Sequence, residues 1–132
     1  MCNQNLPWKG IPLEFDREWR ETFAASQESL NLSIPCPICR QSTLYRYYQR
    51  PKSGRIHSIG SLWEWCSGCR TYEHSSVVIP EWWVPPQLDF DPLKLTAEPE
   101  VLEQAICRQA SEYKEDFFVA GTEILRTDGV KN

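Results

Sequence analysis

The chain has 132 residues, 41% hydrophobic and 12% aromatic, with a net charge of −4. That length supports one domain, 1–132, with a modest core. No apolar run reaches the roughly 18 residues of a membrane span and no basic segment leads an apolar one at the start, so neither a membrane protein nor a signal peptide is expected.

In chain order, Asn3 to Pro12 reads as a loop, because Pro7 and Pro12 prevent a regular helix. Phe15, Trp19 and Phe23 then recur at i, i+4 and i+8, with Glu14, Arg17, Glu18, Arg20 and Glu21 around the rest of the wheel. This periodicity predicts a helix over 14–30, closed by Asn31 to Pro35.

Two cysteine pairs follow, Cys36-Pro37-Ile38-Cys39 and Cys66-Ser67-Gly68-Cys69, separated by 26 residues. Two residues between the cysteines of each pair let both sulfurs turn toward one point, and four thiolates so arranged suit one tetrahedral zinc ion. Gly68 is expected to supply the tight turn of the second pair. Such a set, Cys36, Cys39, Cys66 and Cys69, belongs in a reducing cytoplasm, and its zinc would be structural. Cys2 and Cys107 lie outside the pattern.

Between the pairs, Thr43 to Gln49 is rich in Tyr and Thr, Pro51-Lys52-Ser53-Gly54 is a turn, and Arg55 to Cys66 returns as a second strand. Thr71 to Ile79 reads as a third, closed by Pro80. Trp63 and Trp65 share one face of the second strand. Residues 80–97 form a stiff connector rich in Pro and Trp, including Glu81-Trp82-Trp83-Val84-Pro85-Pro86. Its adjacent tryptophans either wrap a core or anchor a partner. A helical segment over 98–126 completes the chain, with Val101, Leu102, Ala105 and Ile106 opening its apolar stripe.

Charge is uneven along these elements. Residues 36–70 hold six basic side chains against one acidic, a net +5, whereas residues 71–132 hold five basic against twelve acidic, a net −7. The basic island contains Tyr45, Arg46, Tyr47, Arg50, Lys52 and Arg55, a pattern of rings and cations that would suit single-stranded nucleic acid if exposed. The alternative is strands that turn their tyrosines to a core and their arginines to solvent. Catalysis is not expected: His57 and His74 are the only near-neutral acid–base groups, no nucleophile or phosphate-loop motif is present, and four cysteine ligands leave no open position on the metal. His74, five residues past Cys69, could also reach the metal.

From Cys36 to the third strand the chain resembles a zinc ribbon, over residues 34–79. That resemblance implies an antiparallel three-stranded sheet closed by zinc on Cys36, Cys39, Cys66 and Cys69. The expected fold is therefore α+β, the ribbon flanked by an N-terminal helix and a C-terminal helical segment. In size, acidity and lack of a catalytic set the chain also resembles the small acidic immunity proteins that bacteria pair with polymorphic or contact-dependent toxins. This second resemblance implies a non-catalytic protein that binds a basic toxin domain, with Glu81, Trp82, Trp83, Asp89 and Asp91 as the first candidates for contact.

Overall fold

The structure, a computed structural model, describes residues 6–50 and 59–110. Its architecture is α+β. Four antiparallel strands, β1 (Leu30–Asn31), β2 (Leu44–Gln49), β3 (Ile59–Cys66) and β4 (Thr71–Val78), lie in the order of the chain. Helix α1 (Asp16–Ala24), entered through a short 3-10 turn at Leu13–Phe15, precedes them, and helix α2 occupies residues 100–110. The three strands read from the sequence are all present.

The added strand and the shorter first helix correct the sequence reading together. Instead of running to Leu30, α1 stops at Ala24. Beyond it, Ser26 Oγ accepts the N–H of Glu28 at 3.0 Å, a local bond that competes with the helical ladder. Arg46 Nη2 donates to the carbonyls of Phe23 and Ser26, at 2.9 and 2.8 Å, and so caps the helix from across the sheet. Leu30, with φ of 64°, redirects the chain, and Leu30 and Asn31 then pair with Arg46 and Tyr45 of β2.

Alternation places Leu44, Arg46 and Tyr48 on one face of β2 and Tyr45 and Tyr47 on the other. On the first face α1 covers the cysteine end, where Trp19 and Phe23 pack with Leu32, Leu44, Cys36 and Cys66. Phe15, the third member of the expected stripe, is only half-buried. The opposite face is covered by the C-terminal part of the chain. Trp63 Nε1 donates to the Thr96 carbonyl at 2.8 Å, Trp65 Nε1 donates to Glu103 Oε1 at 3.0 Å, and Phe90 meets Tyr47 edge-on. Trp65 and Leu102 are fully buried, and burial of side chains this large contributes about 2–3 kcal/mol each.

The connector lies against the sheet. Trp83, buried, contacts both Tyr47 and Tyr48, which point to opposite faces, so its ring closes the edge of β2 beyond the two residues paired with β1. Val84 N–H reaches Ser29 Oγ at 3.3 Å. After Pro99, whose carbonyl accepts Glu103 N–H at 2.8 Å, α2 begins. The part of the expected helical segment beyond residue 110, the expected turn with Lys52, the start of the expected second strand with Arg55 and His57, and Cys2 lie outside the described residues. No described helix is long and apolar enough to cross a membrane.

Candidate functional site

The two knuckles bring Cys36, Cys39, Cys66 and Cys69 together, with all four sulfurs within 4.8 Å of one another. Cys36 Sγ lies 3.9 Å from Cys69 Sγ, and Cys39 Sγ lies 3.6 Å from Cys66 Sγ. A tetrahedron of sulfurs about 2.3 Å from a central metal has edges of about 3.8 Å. The donor set thus fits one four-coordinate, thiophilic ion, and none of the four cysteines is held in a disulfide.

The backbone explains the convergence. Arg40 N–H donates to the Cys36 carbonyl at 2.8 Å and Arg70 N–H to the Cys66 carbonyl at 2.9 Å, so each pair is closed by the same turn. Arg40 and Arg70, each directly after the second cysteine, adopt left-handed φ values of 69° and 60°. Gly68 is therefore not the residue that makes the reversal. Its requirement is space, since a Cβ there would lie 2.6 Å from Gln41 Oε1 and 2.9 Å from Thr43 Oγ1.

Polar groups surround the sulfurs. Ile38 N–H donates to Cys36 Sγ at 3.3 Å, the Thr43 hydroxyl lies 3.0 Å from Cys66 Sγ, and the Thr71 hydroxyl lies 3.3 Å from Cys69 Sγ. Such contacts orient ligating sulfurs and offset their charge. Without a cation the crowded thiols compete for protons: Cys36 and Cys69, then burial, push the Cys66 thiol up, while Cys36 and Cys66 hold the Cys69 thiol down. His74 is not part of the cluster. It is exposed on β4 and stacks on Trp63 with ring centroids 4.7 Å apart.

The residues of the ring-and-cation stripe do not form one surface. Arg46 is 2% exposed, its guanidinium spent on α1 and held over the rings of Phe23 and Trp82. Tyr47 is buried against Trp83 and Phe90, and Tyr45 is half-buried and stacked on Trp65 at 5.7 Å. Of the described members only Arg50 is exposed. In the connector, Glu81, Asp89 and Asp91 are exposed, Trp82 is half-buried over Arg46, and Trp83 belongs to the core. Asp91 has a local task as well, its Oδ1 accepting Leu93 N–H at 3.0 Å.

No family model, curated protein or solved structure matches this chain. Its site is thus read from its own geometry. Sequence reasoning missed the sulfur-facing hydroxyls of Thr43 and Thr71 and the paired turns at Arg40 and Arg70. The repeated Cys-x2-Cys-Arg string was the available signal for the turns. Also missed was a half-buried carboxylate on β3: Glu64, between Trp63 and Trp65, is pushed up to about 7 by burial and then by neighbouring Glu73. A lone acid between two core tryptophans was its signal in the sequence.

Proposed function

We propose that this protein is a non-catalytic binding module held together by one structural zinc ion, and that it acts as an inhibitor of the immunity type, covering a basic toxin domain by direct contact. Zinc is the natural occupant of four cysteine sulfurs at these separations, and Cys36, Cys39, Cys66 and Cys69 would hold it with no position left for a reacting water. The observation that carries the binding reading is the division of the connector. Its rings, Trp83 and Phe90, turn toward the sheet, while Glu81, Asp89 and Asp91 are exposed together with Val84 and Leu93, at 67% and 78%. Acidic and apolar groups on a backbone already fixed by buried tryptophan suit a basic protein surface, because little ordering cost remains to oppose binding.

The test is affinity capture of the tagged protein from its native cells, with and without nuclease, alongside a Glu81→Lys/Asp89→Lys variant. Asp91 stays unchanged because it caps the turn after it. A stoichiometric basic protein that survives nuclease and is lost with the variant supports the reading. Retention undiminished by the charge reversal removes the connector as the contact surface. Nucleic acid that carries every other captured component away on digestion overturns the reading in favour of a single-stranded nucleic-acid binder.

A further inference from the structure

The four sulfurs of the cluster are not equivalent. Cys36 and Cys66 are fully buried, whereas Cys39 and Cys69 are only half-buried. A ligating sulfur carries no proton, so a hydroxyl beside it must be the donor. Thr43 then donates to Cys66 Sγ across 3.0 Å and Thr71 to Cys69 Sγ across 3.3 Å, while Ile38 N–H donates to Cys36 Sγ across 3.3 Å. No N–H or O–H of a described residue donates to Cys39 Sγ, whose near neighbour is Cys66 Sγ at 3.6 Å. Of the four, Cys39 alone combines access to solvent with a sulfur that receives no hydrogen bond.

This asymmetry follows from what stands two residues beyond each pair. After Cys69 that place is Thr71, the fully buried first residue of β4, and its hydroxyl meets the sulfur. After Cys39 it is Gln41, whose side chain lies over the other knuckle: a Cβ at Gly68 would meet Gln41 Oε1 at 2.6 Å. A donor stabilises the negative charge of a thiolate, and that stabilisation is lost when the sulfur becomes a neutral thioether. Each donor therefore slows attack by the sulfur it faces, and burial shuts out the reagent.

We propose that Cys39 is the modification site of the loaded cluster, reacting with small soft electrophiles ahead of the other three cysteines because it is accessible and lacks a donor. In the step, the Cys39 sulfur forms an S–C bond with its own electron pair, and the carbon's bond to its leaving group breaks, the leaving group departing as an anion. The resulting thioether has no negative charge to hold a cation, so three thiolates remain and the metal is released. The inference rests on the zinc reading above and is independent of the protein-binding one.

The experiment treats the zinc-loaded full chain with excess iodoacetamide, whose leaving group is iodide. Zinc release is followed with a chromogenic chelator, and labelled cysteines are located by peptide fragmentation. Cys39 should be labelled at least about tenfold faster than Cys36, Cys66 or Cys69, with one zinc released for each Cys39 modified. Thr71→Val should raise the labelling of Cys69 toward the rate of Cys39. Thr43→Val should leave Cys66 unlabelled while zinc is bound, because burial still protects it. Should either variant fail to fold, the map of the unaltered protein decides. Equal labelling of Cys39 and Cys69 overturns the proposal, as does labelling confined to Cys2 or Cys107 with zinc retained. Labelling of Cys69 unchanged by Thr71→Val overturns it too. So does release at a rate independent of iodoacetamide concentration with all four cysteines labelled together, which would show that the metal leaves before any sulfur reacts. Elemental analysis beforehand separates the two readings: a chain without zinc removes the zinc reading and this proposal with it, whereas a loaded chain labelled elsewhere overturns the proposal alone.

Discussion

Glu100 and Glu103 stand one turn apart on α2, and folding moves their acidities in opposite directions. Burial pushes the Glu100 carboxyl up, but bonds from Trp8 Nε1 and Gln104 Nε2 and the Arg70 guanidinium at 2.9 Å outweigh it, so it titrates below its ordinary 4.5. Glu103, 1% exposed, is pushed above that value because burial outweighs the bond from Trp65. The signs follow from proton linkage. Depressed in the folded state, Glu100 contributes stability that is present above the unfolded value and lost as pH falls through the folded one. Raised in the folded state, Glu103 contributes stability that is full below the unfolded value and lost as pH rises through the folded one. Urea midpoints followed from about pH 4 to 8 should show Glu100→Gln lowering the neutral plateau and flattening the acid limb. Glu103→Gln, which keeps an oxygen for Trp65, should raise stability at neutral pH and erase the decline on the alkaline side. A loss for Glu103→Gln that is equal at every pH would show that its carboxylate carries no burial cost.

Among the elements, the two knuckles test how much of each turn is backbone and how much is side chain. Arg40 and Arg70 share one position and one left-handed conformation, which costs a residue with a Cβ roughly 1 kcal/mol or more. Arg40 is exposed, so Arg40→Gly should be neutral or stabilise the zinc-loaded protein by up to about 1 kcal/mol. Arg70 is 3% exposed, donates to the Leu6 carbonyl at 3.0 Å and to Glu100, and lies 4.0 Å from the centre of the Trp8 ring. Arg70→Gly should therefore cost about 2–3 kcal/mol despite the relief of strain, and thermal melts of the two variants should move apart. The same elements show what the sequence made legible. The knuckles were readable because thiolate spacing is a geometric code, and β2 to β4 because Tyr, Trp and Val cluster between turn residues. Strand β1, two residues long, has no period to read. Arg46 looked like a surface cation because alternating rings and charges read the same whether α1 covers that face or water does. The end of α1 was hidden for the related reason that its cap comes from Arg46, 23 positions beyond the Phe23 carbonyl it meets.

At the scale of the molecule, two apolar clusters share one sheet. One contains Trp19, Phe23, Leu32 and Leu44, with Cys36 and Cys66 among its buried members; the other gathers Trp63, Trp65, Trp83 and Leu102. Strands β2 and β3 contribute to both, so disruption at the cysteine end is transmitted along the strands to the second cluster. A structural zinc site of this kind contributes on the order of 10 kcal/mol of apparent free energy, as much as the roughly 5–15 kcal/mol net stability of a whole domain. Elemental analysis should find one zinc per chain. Stripping it with a strong chelator should abolish the near-UV signal of all the buried tryptophans together, including Trp65 and Trp83 in the cluster that contains no cysteine. Cys66→Ser should reproduce that state without chelator, since it removes a fully buried ligand that Thr43 orients. Loss of the Trp19 environment alone would show the second cluster to be an independent folding unit. A cooperative melt unchanged by chelation would show that the four sulfurs are not what holds the sheet.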